Sequence, residues 1–117
     1  IILLHIGTND LNKEESPTVI IQEIDQILSE VDRYEEKRNV PVKVVLATLI
    51  NHLLYIEQTQ ELNNYITELV KNRQINNDLI ILADMNKYLK STNYYLDNVH
   101  PNELGYKKMA EVWLEKI

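Results

Sequence analysis

The chain contains no cysteine, and it has only two glycines, three prolines and one tryptophan among its 117 residues. The lack of cysteine excludes disulfide bonds, thiol catalysis and cysteine-based metal sites, and it fits any redox compartment. The sequence also lacks an internal repeat, a low-complexity segment and a linker. A chain of this length and composition predicts a single domain with its own hydrophobic core.

Clustered positive charge and long apolar segments are missing as well. The 12 Lys and Arg residues are outnumbered by 18 Asp and Glu residues and form no basic block. Nucleic-acid binding is therefore not expected, because contact with a phosphate backbone depends on clustered positive charge. Membrane insertion is not expected either, since no apolar run approaches the roughly 18–20 residues that a spanning helix needs. The chain starts at Ile1, inside an apolar run, which we interpret as a cut N-terminus.

Short apolar runs alternate with segments of helical periodicity. Three buried strands are predicted, at Ile1–Ile6, Val42–Ile50 and Asp78–Met85. Three helices are predicted, from Pro17 to about Lys37, from about Glu57 to about Arg73, and from Asn102 onwards. Residues 7–16 and 86–101 are predicted as irregular loops. This alternation predicts a parallel α/β sheet with right-handed crossovers. The last helix is expected to bury one face, formed by Tyr106, Met109, Ala110, Trp113, Leu114 and Ile117.

The loops that follow the three predicted strands should meet at one edge of the sheet. In parallel α/β sheets, ligands bind in the crevice beyond the carboxyl ends of the strands. The segments GTND and DNVHP, which begin at Gly7 and Asp97, are therefore expected to share that edge although they are far apart in the sequence.

GTND follows the first predicted strand. Gly7 lets the backbone turn or approach a ligand closely. Asn9 projects a carboxamide whose N–H can stabilise an oxyanion, an effect of about 10²–10³ in rate. Asp10 is expected to brace the loop by accepting backbone N–H bonds. The same letters are also ordinary loop composition, and that alternative stays open for this motif.

In DNVHP, Asp97 and His100 lie three residues apart, and Pro101 follows. A carboxylate that binds one imidazole nitrogen fixes the tautomer and leaves the other nitrogen free to act as a base. The alternative is a turn that carries a surface histidine. Because the predicted topology brings this segment to the same edge as Asn9, we favour catalysis.

GTND together with DNVHPNELGYKKMAEVW resembles the third and fifth sequence blocks of the SGNH, or GDSL-type, hydrolases, which are esterases and acyl hydrolases. The second segment is particularly similar to carbohydrate acetyl esterases of the acetylxylan esterase type. The resemblance implies a three-layer α/β/α flavodoxin-like fold, here truncated to three strands and three main helices. It also implies His100 as general base, Asp97 as its orienting acid, Asn9 as oxyanion donor, Gly7 as the residue that shapes the loop and Asp10 as structural.

The nucleophile of that family lies in a Gly-Asp-Ser block after an earlier strand, and this sequence has no such block. Ser16 is predicted to cap a helix, Ser29 lies inside a helix, and Ser91 lacks a strand-to-helix turn. We therefore interpret residues 1–117 as the C-terminal portion of a single SGNH-hydrolase-like domain that is inactive alone. The resemblance implies that the complete enzyme hydrolyses a small-molecule ester or an acetylated carbohydrate, with no metal or organic cofactor.

An alternative function is a non-catalytic α/β module that kept the motif loops and binds a partner. Thr8, Tyr94 and Tyr95 are candidate substrate contacts, and the alternative for the two tyrosines is that they only pack the loop. The run Ile1–Ile6 has no charged residue, so as an edge strand it is expected to self-associate or to pair with a complementing segment.

The histidines allow further predictions. His5, inside the first predicted strand, is expected to be a packed, hydrogen-bonded core residue. His52, after the second strand, is expected to be a solvated loop residue. A metal site formed by His5, Asp10, Asp97 and His100 is disfavoured, because their spacing matches no helical ligand pair.

Overall fold

Strands and helices alternate along the chain in the predicted order. The computed structural model describes residues 1–117. Its strands are β1 (Ile2–Leu4), β2 (Val44–Ala47) and β3 (Ile80–Ala83). Its helices are α1 (Thr8–Asn12), α2 (Pro17–Arg38), α3 (Ile56–Ile75), α4 (Met85–Tyr88) and α5 (Glu103–Lys116), and a 3-10 turn at Thr92–Tyr94 precedes α5. None of these helices combines the length and the apolar character needed to cross a membrane.

The three strands form one parallel sheet in the order β1-β2-β3. β2 is the central strand, and its Val44 is in register with Ile2 of β1 on one side and with Ile80 of β3 on the other. Parallel neighbours need a crossover connection, which α2 and α3 supply. The parallel α/β sheet predicted from the sequence is therefore confirmed, and all three strands end at the same edge.

Alternate residues of β2 face two different cores. Val44 and Leu46 belong to a cluster that includes residues of α2 and α3. Val45 and Ala47 belong to a second cluster, which includes Val112 of α5. All four strand residues are buried, as expected for a parallel sheet covered by helices on both faces. This arrangement confirms the three-layer α/β/α architecture.

The start of α2 follows local signals in the sequence. The Ser16 side chain accepts a hydrogen bond from a backbone N–H in the first turn, and Pro17 occupies the first helical position, as predicted. The helix packs against the sheet through residues at helical spacing. Its buried positions after Pro17 are Ile20, Ile24 and Leu28.

Two segments that the sequence predicts as irregular contain short helices. α1 lies within the segment after β1, and α4 follows β3 directly. Gly7 has a φ of 116° at the start of α1. A Cβ there would lie 3.2–3.3 Å from side chains of the first core, which is the cluster that contains Val44, Leu46 and residues of α2 and α3. One-turn helices are too short to produce a visible period, which is why the pattern missed them.

The buried face of α5 also differs from the prediction. Tyr106, Leu114 and Ile117 are exposed, whereas Gly105 and Val112 are buried. The rotation of α5 is set by the close approach of its backbone at Gly105, which a pattern of apolar letters does not reveal.

β1 is an edge strand, because it pairs with β2 alone. Ile2 and Leu3 are 37% and 42% exposed, so the prediction of a strand buried on both faces is wrong for this chain. Leu4 and Ile6 pack against the first core and hold the strand in place.

Candidate active site

A cleft of about 240 Å³ lies beyond the carboxyl ends of β1 and β2. It brings together residues from the loop after β1, the loop after β2, and the segment that leads into α5. The predicted shared edge is therefore present, with Asn9 and His100 in one cleft. The lining residues are His5, Thr8, Asn9, Ile50, Val99, His100, Pro101, Tyr106 and Met109.

Asp97 holds the His100 imidazole through a hydrogen bond of 2.8 Å between Asp97 Oδ2 and His100 Nδ1. An ionised carboxylate only accepts, so Nδ1 carries the proton and Nε2 is left with its lone pair. The side chain of His100 is 63% exposed and that of Asp97 is 50% exposed, so solvent or a ligand can reach both. The pair thus has the tautomer that a general base requires.

The carboxylate of Asp97 is bonded by the backbone as well. Its Oδ1 accepts the N–H of His100 at 2.7 Å and the N–H of Val99 at 2.8 Å. These two backbone bonds, followed by the bond from the His100 side chain, lower the pKa of Asp97 to about 2. Asp97 is therefore ionised throughout the neutral range and keeps its hold on the imidazole.

The segment that carries the pair is closed by its own backbone. Leu96 N–H donates to the carbonyl of His100 at 2.8 Å, and Tyr95 forms an antiparallel bridge with Pro101. Leu53 N–H donates to the carbonyl of Asn98 at 2.9 Å, which ties this segment to the loop after β2. The orientation of His100 is thus fixed from within its own loop and by a neighbouring one.

The N-terminus of α5 holds the same segment in place. Asn102 caps α5 by accepting the Gly105 N–H at 2.9 Å, and its Nδ2 donates to the carbonyl of Asn93 at 2.7 Å. A Cβ on Gly105 would lie 2.3 Å from the carbonyl oxygen of Tyr94, so only glycine fits. The N-E-L-G spacing in the sequence is therefore a packing requirement of the site.

Asn9 stands on α1, is exposed, and lines the cleft together with Thr8. Its position follows from Gly7, whose positive φ turns the chain from β1 into α1. The structure thus presents an amide side chain to the same cleft as the free nitrogen of His100.

Asp10 bonds the loop through its main-chain carbonyl, and not through its carboxylate as predicted. Its carbonyl accepts the N–H of Lys13 at 3.1 Å and the N–H of Glu15 at 3.0 Å. Its carboxylate comes together with those of Glu15 and Glu23, with one oxygen of each within 4.8 Å of the others. These are the carboxylates that could hold a cation in this chain, and none of them lines the cleft.

Several predicted contacts lie elsewhere. Tyr94 and Tyr95 pack against the second core and do not line the cleft. His52 is buried, not solvated as predicted, because its ring lies against Asn12 at the end of α1 and against the ring of Tyr55. Its Nε2 lies 3.2 Å from Asn12 Oδ1, its Nδ1 accepts the Leu54 N–H at 3.3 Å, and burial lowers its pKa.

Sequence reasoning missed several residues that line the cleft. His5 was expected to be a hydrogen-bonded core residue, yet it lines the cleft, and its buried Nε2 has no partner. Tyr106 and Met109 were assigned to a core face of α5. Their spacing from His100 could have indicated the cleft, because the first turns of α5 rise directly from the Asp97–His100 segment.

None of the three serines lines the cleft. Ser16 caps α2, and Ser91 accepts the N–H of Asn93 at the start of the 3-10 turn. Ser29 donates its hydroxyl to the carbonyl of Asp25 at 3.0 Å within α2. The cleft therefore presents an oriented base and an amide, the two groups that activate a nucleophile and stabilise an oxyanion in acyl transfer.

Known proteins resemble this chain in both sequence and fold. A multidomain esterase from Ruminococcus flavefaciens is 32% identical over 124 residues, which cover the whole of this chain and 15% of the esterase. A family 3 carbohydrate esterase structure from Clostridium thermocellum has a TM-score of 0.69 at 25% identity, over 97% of this chain and 53% of its own. The chain thus spans about half of one relative and less of the other. The model of GDSL-like lipases and acylhydrolases matches residues 1–113, and the chain belongs to that family.

Proposed function

We propose that this chain supplies the base and the oxyanion donor of a serine ester hydrolase that acts on O-acetylated carbohydrate, with the nucleophilic serine contributed from outside these 117 residues. The observation that carries the proposal is that His100, oriented by Asp97, lines the same cleft as Asn9.

In the reaction, His100 Nε2 takes the proton of the serine hydroxyl as the serine oxygen attacks the acyl carbon. The N–H groups of Asn9 stabilise the oxygen that becomes negative in the tetrahedral intermediate. His100 then gives its proton to the leaving alcohol, and it later activates water to release the acid. Asp97 stays ionised and orients the ring at each step, because its low pKa keeps it unprotonated.

The size of the cleft supports a small acyl group. Its volume of about 240 Å³ is below the roughly 300–1,000 Å³ of pockets that enclose drug-sized ligands. The cleft can therefore hold an acetyl group, and the alcohol part of the substrate would lie towards the solvent, where Tyr106 is 56% exposed. The similarity to the Clostridium thermocellum protein, which is a carbohydrate esterase, favours a sugar as that alcohol.

The positions of the three serines support a nucleophile from another segment. Each is at a helix cap or within α2, and none is in the cleft. The exposed edge of β1 gives such a segment a place to pair, because Ile2 and Leu3 have no strand on their outer side. A second copy of the chain could occupy the same edge, which would appear as self-association.

The central test is hydrolysis of p-nitrophenyl acetate and labelling with a serine-directed phosphonate. The chain alone should show neither turnover nor labelling. A longer natural protein that includes these residues should show both, and His100→Ala should lower its kcat by about 10⁴ or more, because the base is lost. Asn9→Ala should lower kcat by about 10²–10³.

The matched control for Asn9→Ala is Asn64→Ala, which removes an exposed amide from α3, away from the cleft. This variant should keep full activity. Labelling of the chain alone would place the nucleophile within these residues. It would contradict the proposal that the serine comes from another segment. A longer protein that folds but is neither labelled nor active would favour the non-catalytic binding module.

The edge strand is tested by light scattering at high protein concentration. If β1 pairs with another copy, Leu3→Lys should give a monomer, because a lysine on an edge strand opposes further pairing. Leu114→Lys changes a residue that is 72% exposed on α5 and should leave the association unchanged. A wild-type chain that is monomeric, with β1 open to solvent, would rule out self-association.

A further inference from the structure

His5 differs from the other two histidines in the state of its ring nitrogens. His100 bonds Asp97 through Nδ1, and His52 has a partner at each nitrogen. His5 is partly buried at the carboxyl end of β1 and lines the cleft with Asn9 and His100. Its Nε2 is a fully buried atom without a hydrogen-bond partner. Such buried unpaired atoms are rare in native proteins and need an explanation.

The unpaired Nε2 determines which tautomer of His5 costs least. A neutral imidazole has one N–H donor and one nitrogen with a lone pair. Buried donors without partners are rarer in proteins than acceptors with unused lone pairs. The tautomer without a proton on the buried Nε2 is therefore favoured. The proton belongs on Nδ1, the one ring nitrogen that is not a fully buried, unpaired atom. His5 then has an N–H available to an atom in the cleft.

Burial also keeps His5 neutral, because it lowers the pKa of its imidazole to about 4. At pH 5–8 the ring therefore neither gains nor releases a proton. It is therefore a poor base, and it adds no positive charge that would repel a protonated His100. A neutral donor in that position can still form a hydrogen bond with an oxygen atom.

We propose that His5 is a substrate-binding residue of the cleft, and that its Nδ1–H donates a hydrogen bond to an oxygen of the acetyl ester held near Asn9 and His100. The proposal rests on the proposed function, since it takes the acetyl ester as the ligand. It adds a hydrogen-bond donor beside Asn9 and His100 and gives a reason for a histidine at the end of an apolar strand. His5 positions the ester, and His100 remains the group that moves protons.

The experiment is long-range ¹H–¹⁵N NMR of the histidine rings in the whole chain, with acetamide as a neutral analogue of the acetyl ester. We expect His5 to be the Nδ1–H tautomer at pH 7. Acetamide should shift the ring signals of both His5 and His100, whereas His52 should be unaffected, since it is buried with its own partners and is outside the cleft. His52 is therefore an internal control.

The outcomes separate this proposal from the proposed function. An Nε2–H tautomer, or a His5 signal that does not respond while His100 does, would overturn the role of His5 and leave the esterase proposal standing. If neither His5 nor His100 responds, the cleft does not bind acetyl groups, and both proposals fail.

Variants extend the test. His5→Phe removes the donor and should weaken acetamide binding about two- to tenfold, the worth of one hydrogen bond. His5→Asn retains an N–H donor and should bind more tightly than His5→Phe. Equal binding by all three proteins would contradict a donor role. If a variant does not fold, the tautomer and the acetamide response of the wild-type chain still decide the question.

Discussion

The two ends of the sheet use the same kind of ionic contact for different purposes. At the amino end, Arg73 of α3 bonds Asp25 and Asp32 of α2 and Asp78 before β3, at 2.8–3.0 Å. Its side chain is only 14% exposed. At the carboxyl end, His100 has one carboxylate partner, from its own loop, and is 63% exposed.

The difference lies in burial and in the nature of the cation. Arginine is charged at every relevant pH. Burial lowers the pKa of Arg73, but the hydrogen bonds that its guanidinium donates to Asp78, Asp32 and Asp25 raise the pKa and outweigh burial. The Arg73 contacts at the amino end therefore hold α2 and α3 together at any such pH. Histidine can gain and lose its proton, and its exposure leaves Nε2 accessible. The first arrangement stabilises the fold, and the second leaves an oriented imidazole with an accessible nitrogen, which we propose is the base.

Cavity size alone would not select the end of the sheet that we propose as the active site. A cavity of about 700 Å³ surrounds Arg73, nearly three times the volume of the cleft at His100. Arg73 is already bonded to Asp25, Asp32 and Asp78. The Glu35 carboxylate accepts the Val42 N–H, and no histidine or lysine lines the cavity. The smaller cleft holds the oriented imidazole and the amide, so chemistry distinguishes the two ends where volume does not.

The largest expected effect comes from breaking the Arg73 contacts. Arg73→Met should destabilise the chain by about 2–4 kcal/mol in urea unfolding, because three carboxylates lose their common partner. The value is below that of a fully buried pair, since Asp25 and Asp32 are 50% and 43% exposed.

The matched control is Arg33→Met, which removes an arginine that is 70% exposed and paired with Glu30 on the same helix. Exposed pairs contribute little, so this change should stay within about 0.5 kcal/mol. Equal effects for the two variants would show that the amino end is not the stabilising end of the molecule.

A smaller effect is expected from Gly105→Ala, which forces α5 away from the segment that carries His100. The new Cβ would overlap the carbonyl oxygen of Tyr94. We expect a loss of about 1–3 kcal/mol, as for other overpacked sites, although alanine is the better helix former. The ring signals of His100 should shift in NMR spectra.

Ala110→Gly in the same helix is the control, since Ala110 is exposed. It should cost about 1 kcal/mol through helix propensity and leave the His100 signals in place. If Gly105→Ala stabilises the chain, the close contact is not a constraint on the site.

The smallest effect concerns the pH dependence of the Asp97 contacts. The pKa of Asp97 is about 2 in the folded chain, lowered from 3.8 chiefly by the backbone N–H of His100 and that of Val99. Because the folded value is the lower one, the stabilisation is present above about pH 3.8 and is lost as the pH falls through about 2. The gap in unfolding free energy between wild type and Asp97→Asn should close over that range.

Urea unfolding of both proteins at several pH values measures this gap. Repeating the series in high salt is the control, since hydrogen bonds between adjacent groups survive screening better than long-range charge effects. A gap that does not change between pH 5 and pH 2 would mean that the carboxylate is not the group that holds the loop.

Much of the fold could be read from the letters. Ser16 and Pro17 begin α2, alternating segments indicate the parallel sheet, and the strand-end rule brings Asn9 and His100 to one edge. The rotation of α5 could not be read, because it depends on the close approach at Gly105. His52 was misjudged for a similar reason, since the covering of a loop residue depends on segments distant in sequence.

The sequence by itself determined the Asp97–His100 pair, because three residues before a proline place the two side chains within reach through a local turn. It also determined the class of fold, because apolar periodicity is a property of short segments. Only the tertiary structure decided that His5 lies in the cleft with an unpaired nitrogen, and that Arg73 gathers carboxylates from two other elements. Those features depend on contacts between residues that the chain separates and folding brings together.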